Sequence, residues 1–329
     1  MSVDMLYPDN RNRGRRVDQL CTQIGDIQSN VKLNYNGGKS QEQTVMKKVD
    51  VILSQHDVKS IAELREKLEK SLPAEVREKY QKMVQRYNDD DSDLQTTMDI
   101  IGCVTMVAGG VAGGAKMIEF IACGDLAAAT ARVVRALSIL GEDSAKAMRL
   151  LKMAATALKE MIGGVELGEV ATKALKFAKL AGTVLTAVGV ILDGILLIVA
   201  AIEGAEQRTQ LQNAIHDLVH RRLSAETVNI MSNAYSQYVS NIYRICVSIK
   251  NHPKDEKRLA DDIDEMVSDL KDELGNITFD NVWKRLEDRD KDAGNSWTNE
   301  DPSKATVKEW WDKEDDPKKY KGGVVSSQK

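Results

Sequence analysis

Residues 227–250 read TVNIMSNAYSQYVSNIYRICVSIK. Within them Val228, Met231, Tyr235, Tyr238, Ile242, Ile245 and Ile249 are separated alternately by three and four residues. That spacing places every apolar side chain on one stripe of a helix and matches the heptad seam of helices that pack along their length. It predicts a long helix across 227–250, with Ser224 as its N-cap and Pro253 beyond its end. Upstream, Leu211, Ile215 and Leu218 share one face; downstream, Leu259, Ile263, Met266, Leu270 and Leu274 mark another helix. Thr278 then caps a short one carrying Trp283 and Leu286.

The N-terminal third repeats the pattern. Residues 1–14 read as irregular, and Val17, Leu20, Ile24, Ile27 and Val31 form a stripe that Asn36-Gly37-Gly38 is expected to end. Val45, Val49 and Ile52 begin the next helix. Ser60 and Glu63 have capping-box spacing in front of Ile61, Leu64 and Leu68. Pro73 suits the opening of a helix with Val76, Tyr80, Val84 and Tyr87, which Asp89-Asp90-Asp91 breaks. No repeat of fixed period and no strand pair is visible. Apolar residues make up 42% and aromatic ones 5% with only five prolines, a balance that favours helix over sheet. The expected fold is all-α: an elongated multi-helix bundle with two central apolar helices and little or no β-sheet.

Those two apolar helices are the unusual feature. Residues 100–115 read IIGCVTMVAGGVAGGA, without a charge, and the apolar run resumes after Lys116 and Glu119 as far as Cys123. Residues 180–202 read LAGTVLTAVGVILDGILLIVAAI, with Asp193 the only charge. As a helix this second segment would be about 34 Å long, close to the thickness of a bilayer core. The first is interrupted by Gly109, Gly110, Gly113 and Gly114, which allow close helix approach in a membrane and equally a tight crossing in a soluble core. Residues 125–179 carry nine basic and six acidic residues and read as a basic amphipathic linker. An isolated carboxylate such as Asp193 must either pair with a cation, for which Lys116 is the best candidate, or be held neutral by desolvation.

The remaining signals exclude function classes. The stretch GGVAGGAK is no phosphate loop, because no Gly directly precedes Lys116 and Met117 replaces the Ser or Thr that would hold Mg²⁺. His216 and His220 lie one helical turn apart, but Asp217 stands where a zinc protease has its longer Glu base, and no third ligand is evident. The two histidines are therefore expected to be solvated, with no metal and no cofactor. No nucleophile–base arrangement is available, so the chain reads as a non-enzyme without a small-molecule substrate. A net charge of −4 gives no footprint for nucleic acid. Cys21, Cys103, Cys123 and Cys246 form no CxxC pair, and the two in the first apolar segment behave as small hydrophobes, which fits a reducing compartment or one where thiols simply pack. The N-terminal MSVDMLYPDNRNRGRR has no apolar core of the kind a secretory signal carries. The expectation is synthesis in the cytoplasm without a signal peptide, with release or membrane association by another route. All four tryptophans lie in the last fifth of the chain, where 21 acids face 15 bases from Lys254 onward, so that region is expected to dock on the bundle rather than on anionic lipid.

The layout can be divided into amphipathic helices (1–99), an apolar central region (100–205), further bundle helices (206–290) and a polar tail (291–329), packed as one composite domain. In this layout the chain resembles the helical pore-forming toxins of the cytolysin A and tripartite enterotoxin type, which flank a hydrophobic head with long bundle helices; colicin-like bundles are a similar analogy. It departs from them in that residues 125–179 separate the two apolar segments, where those toxins have a more compact hairpin. The resemblance implies a membrane-perturbing or pore-forming protein, soluble until its apolar segments are released, with a lipid membrane as partner and a homo-oligomer or a second protein component as the working assembly. The membrane-insertion candidates are Ile100, Ile101, Val104, Val107, Gly109, Gly113, Val184, Leu185, Val188, Ile191, Leu192, Asp193, Ile195, Leu196 and Val199. The alternative is a soluble helical-bundle interaction or scaffold protein in which the 228–249 seam dimerises or binds partner helices and the apolar segments are ordinary core.

Overall fold

The computed structural model describes residues 8–55, 57–87, 92–109, 114–139, 142–162, 167–185, 205–252, 255–294 and 297–313. Helix takes up 90% of these residues, and no strand occurs among them. The helices are α1 (Asn10–Gln55), α2 (Ile61–Ser71), α3 (Ala74–Tyr87), α4 (Ser92–Gly109), α5 (Gly114–Ser138) and α6 (Ser144–Ile162), followed by α7 (Gly168–Leu185), α8 (Ala205–Asn251), α9 (Glu256–Gly275), α10 (Phe279–Asp292) and α11 (Lys304–Lys313).

The frame is the pair α1 and α8, of 46 and 47 residues, each about 70 Å long. They run parallel. Asn10 hydrogen-bonds Gln207 (3.0 Å), Asn34 bonds Ser232 (2.8 Å) and Ser240 bonds Gln41 (3.3 Å), so both residue numbers rise together. The seam residues Val228 to Ile249 are buried, as their spacing requires. The helix containing them is longer than the spacing predicts. Ser224 is not its N-cap but an interior residue, whose hydroxyl donates to the His220 carbonyl (3.1 Å).

Two further expectations are corrected in α1. The helix begins at Asn10, inside the stretch read as irregular, and Asn36-Gly37-Gly38 does not end it. The reason is tertiary. A Cβ on Gly38 would stand 2.6 Å from Cε1 of Tyr235. Gly38 thus lies at a close approach of α8, and packing there outweighs glycine's poor helix propensity, about 1 kcal/mol relative to Ala. Tyr35 stacks on Tyr235 beside it, with ring centroids 5.9 Å apart.

Helix α5 is the centre of the molecule and touches α1, α3, α4, α6, α7, α8 and α9. Every residue from Leu126 to Leu137 is buried, Arg132 and Arg135 included. The Ala-rich stretch after Cys123 is therefore a core helix rather than the start of an amphipathic linker. Its small side chains let neighbours approach on all sides, so it shows little amphipathic contrast. Amphipathic character returns only in α6, which packs chiefly on α5 and α7. At the other end of the chain, α11 docks through Val307, Trp310 and Trp311, so the segment 291–329 contributes core as well as polar tail.

Candidate functional site

The first apolar segment occupies the end of α4 and the beginning of α5. Ile100, Ile101 and Val104 are fully buried, along with Met117, Phe120 and Ile121. The two helices cross where a Cβ on Gly124 would come within 2.6 Å of Ile101 Cδ1, so glycine is needed for the approach. Gly109 is the last residue of α4; the Val107 side chain and Gly113 lie outside the described residues. Helix α9 lies against the start of α5. It is fastened there by ion pairs from Lys116 to Asp264 and from Lys271 to Glu119 (2.7 Å), all four side chains at least a quarter exposed.

The second segment begins at the end of α7, where Val184 and Leu185 are helical. Their side chains, and Val188, Ile191, Leu192, Asp193, Ile195, Leu196 and Val199, lie outside the described residues. The pairing of Lys116 with Asp193 lies outside them too; the partner Lys116 has is Asp264. The flanks of the two segments sit far apart. The first packs beside Tyr238, through Gly124, whereas the second leads into α8 at Ala205, next to Gln207 and Asn10. Along α8 those levels are separated by about 45 Å. Among the described residues, no helix is long and apolar enough to cross a membrane.

A cluster of charges ties the C-terminal arm to both long helices. Arg16, at the start of α1 and with no exposed side-chain surface, forks onto Asp290 (2.9 and 3.1 Å) and also binds Asp301 (3.0 Å through Nε). Arg222 of α8 forks onto the same Asp290 (2.6 and 3.0 Å) and donates to Gln23. Arg13 pairs with Glu300. One helical turn on, the buried Glu226 of α8 receives Arg285 (2.8 Å) and Arg289 (3.0 Å) of α10. Burial opposes the Asp290 carboxylate, but hydrogen bonds and charge from Arg16 and Arg222 outweigh it and hold its pKa at about 2. At Asp301 burial wins over Arg16 and pushes the pKa up. The sequence carried one signal for this cluster: Arg13 and Arg16 continue the stripe of Val17, Leu20 and Ile24 toward the N-terminus, at spacings that put them on the buried side.

The histidine pair has a structural role, which corrects its reading as solvated. His220 is fully buried and meets Trp310 edge to face, with centroids 4.8 Å apart and ring planes at 89°. Its Nδ1 lies 2.6 Å from the His216 carbonyl oxygen. Burial pushes its pKa down to about 4, more than the His216 carbonyl raises it. Among the described residues, no group of three His, Cys, Asp or Glu side chains is placed to hold a metal ion. The four cysteines are free, three of them buried, and burial pushes the Cys103 thiol up to about 12.

A second buried polar site lies between α3 and α5. Asp125 accepts the Tyr87 hydroxyl (2.7 Å) and pairs with Arg86, while the Arg132 guanidinium sits 4.4 Å from the centroid of the Tyr87 ring. Burial raises the Asp125 pKa despite these partners. The Asp125 carboxylate, the Tyr87 hydroxyl and the Arg86 guanidinium are engaged with one another, which describes a core anchor and not a reaction centre. No protein-family model matches the chain, and neither the curated proteins nor the solved structures it was compared with give a match.

Proposed function

We propose that this chain is a membrane-perturbing helical protein of the pore-forming kind, held in a shielded state until its apolar segments are released. The observation that carries the reading is how the first segment is covered. Ile100, Ile101, Val104 and Phe120 are completely shielded, and α9, whose Ile263, Met266, Leu270 and Leu274 are buried in the core, adds partly exposed ion pairs to the start of α5. Such pairs contribute about 0–1 kcal/mol each and are weakened by salt. The apolar sequence 180–202, which joins α7 to α8, supports the same reading. Release would then bring lipid as the partner, with a homo-oligomer or a second protein component completing the assembly.

One observation favours the alternative, a soluble interaction or scaffold protein: no described helix has the length and apolarity of a membrane span. That alternative loses its expected docking surface, because the 228–249 seam is buried within the chain. Dye release from liposomes, run with purified protein at about pH 7.5 and about pH 5, separates the two. Membrane perturbation requires leakage under one of these conditions, greater in acid, with Asp193→Asn flattening the difference. A protein that causes no leakage and stays in solution at both values belongs to the soluble class.

A further inference from the structure

Helix α6 is divided sharply into two faces. Ala147, Leu150, Leu151, Ala154, Ala157 and Leu158 are buried against α5 and α7. On the opposite side Lys146, Arg149, Lys152 and Lys159 fall within one arc of the helix, spread over about 20 Å. Arg149, Lys152 and Lys159 are exposed and Lys146 half-buried, and none of the four makes an ion pair among the described residues. Of the nearby acids, Asp143 caps the helix by accepting the Lys146 backbone N–H (2.8 Å) at the end of the row, and the others are paired with cations elsewhere. Glu160, the one acid on that arc, accepts Arg86 (2.7 Å), and Glu142 before the helix pairs with Lys32. A chain of net charge −4 thus carries one face of uncompensated positive charge.

We propose that this face of α6 docks the protein on an anionic lipid surface. The argument is charge complementarity. A row of Lys and Arg on an amphipathic helix is attracted to acidic headgroups, each residue acting within about a Debye length of the surface. Since the apolar face of α6 is already packed, the contact is peripheral and electrostatic, not an insertion. It rests on the membrane-perturbing reading and extends it. Helix α6 is layered directly on α5, so docking here leaves the start of the apolar core one helix diameter, about 10 Å, from the bilayer.

The test is flotation with vesicles of phosphatidylcholine alone and of phosphatidylcholine with phosphatidylglycerol, at about pH 7.5 in low salt. The wild type is expected to float with the anionic vesicles and not with the neutral ones, and to detach as salt rises. The quadruple variant Lys146→Gln, Arg149→Gln, Lys152→Gln and Lys159→Gln is expected to lose about a thousandfold in partition coefficient. Lys146→Arg, Lys152→Arg and Lys159→Arg together should retain it. Neutralising Lys257 and Arg258 on α9 instead should change it little. Equal flotation of wild type and quadruple variant, with the variant's circular dichroism unchanged, overturns the proposal; so does binding to DNA with none to anionic vesicles. Leakage measured in parallel keeps the two readings apart. A quadruple variant that floats and leaks like the wild type removes the docking face and leaves the membrane-perturbing function standing. A wild type that floats through this face without causing leakage does the reverse.

Discussion

At the scale of single residues, Gly37 and Gly38 show how little a dipeptide says about its own role. Both are helical. A Cβ on Gly37 meets nothing within 4 Å, whereas on Gly38 it would meet the Tyr235 ring at 2.6 Å. That ring cannot easily give way: it stacks on Tyr35, and its hydroxyl donates to the buried Glu42 (3.1 Å). Gly37→Ala should therefore stabilise by about 0.5–1 kcal/mol through propensity, and Gly38→Ala should destabilise by about 1–3 kcal/mol through overpacking. Denaturant titrations followed by circular dichroism will read both, and two shifts of the same sign would refute the crossing at Gly38. His220 makes the second residue-scale prediction. Its folded pKa of about 4 lies below the ordinary 6.5, so the stability it contributes is complete above 6.5 and is lost as pH falls toward 4. By pH 5 that loss amounts to about 2 kcal/mol. His220→Phe, neutral at every pH and still able to pack on Trp310, should flatten stability between pH 7 and pH 5; an unchanged slope would place the acid sensitivity elsewhere.

At the scale of elements, the C-terminal arm is held by two unlike contacts. Helix α10 adds charge to its buried Phe279, Val282 and Leu286, through Asp290 to Arg16 and Arg222 and through Arg285 and Arg289 to Glu226. Helix α11 is held by ring packing. Trp310 lies on His220, and Trp311 is wedged between Phe177 (6.2 Å) and Phe279 (6.0 Å) with Lys176 over its face (5.2 Å). Arg16→Gln leaves the half-buried Asp301 without its cation and should cost about 3 kcal/mol, the lower end for breaking a buried pair. Trp310→Ala should cost a similar amount through the cavity it leaves. Limited proteolysis distinguishes arm release from general unfolding. Both variants should be nicked between α10 and α11 under conditions in which the α1–α8 pair still resists; simultaneous digestion of the whole chain would mean that the arm is not a separable element.

At the scale of the whole molecule, the acid response is a sum of opposing terms. His220 loses stability between about pH 6.5 and 4, and Asp290, with its folded pKa depressed to about 2, loses it only below the ordinary carboxylate value of 3.8. Asp301 and Asp125 act oppositely: their folded pKa values are raised by burial, so the strain of keeping them charged is relieved as they take up protons. The protein is thus expected to soften between pH 7 and 5, chiefly around α8 and α11, while the Arg16–Asp290–Arg222 clasp stays ionised. Hydrogen exchange compared at pH 7 and 5, corrected for intrinsic rates, should show lost protection first in α11. Loss beginning in α1 would contradict this order.

The sequence by itself determined the helical class and most of the helix faces. Periods of three and four apolar residues are a local property, and they placed the seams at 17–31 and 228–249, while the hydroxyl of Thr278 marked a cap. Tertiary structure decided what local chemistry could not encode. Glycine at 37–38 reads as a helix end until a tyrosine from a helix 197 residues away makes its missing side chain necessary. Ser224 reads as a cap until the chain before it is seen to be helical already. Arg13 and Arg16 meet Glu300, Asp290 and Asp301 only in the fold, because nothing local shows that arginines near one terminus will meet carboxylates near the other. His220 reads as a surface histidine for the same reason: the tryptophan that buries it lies 90 residues further on. The candidate insertion residues divide along the same line. The first segment's apolarity was legible, but its position beneath α9 and about 45 Å along α8 from the flank of the second segment follows from the parallel course of α1 and α8, which no spacing within either helix specifies.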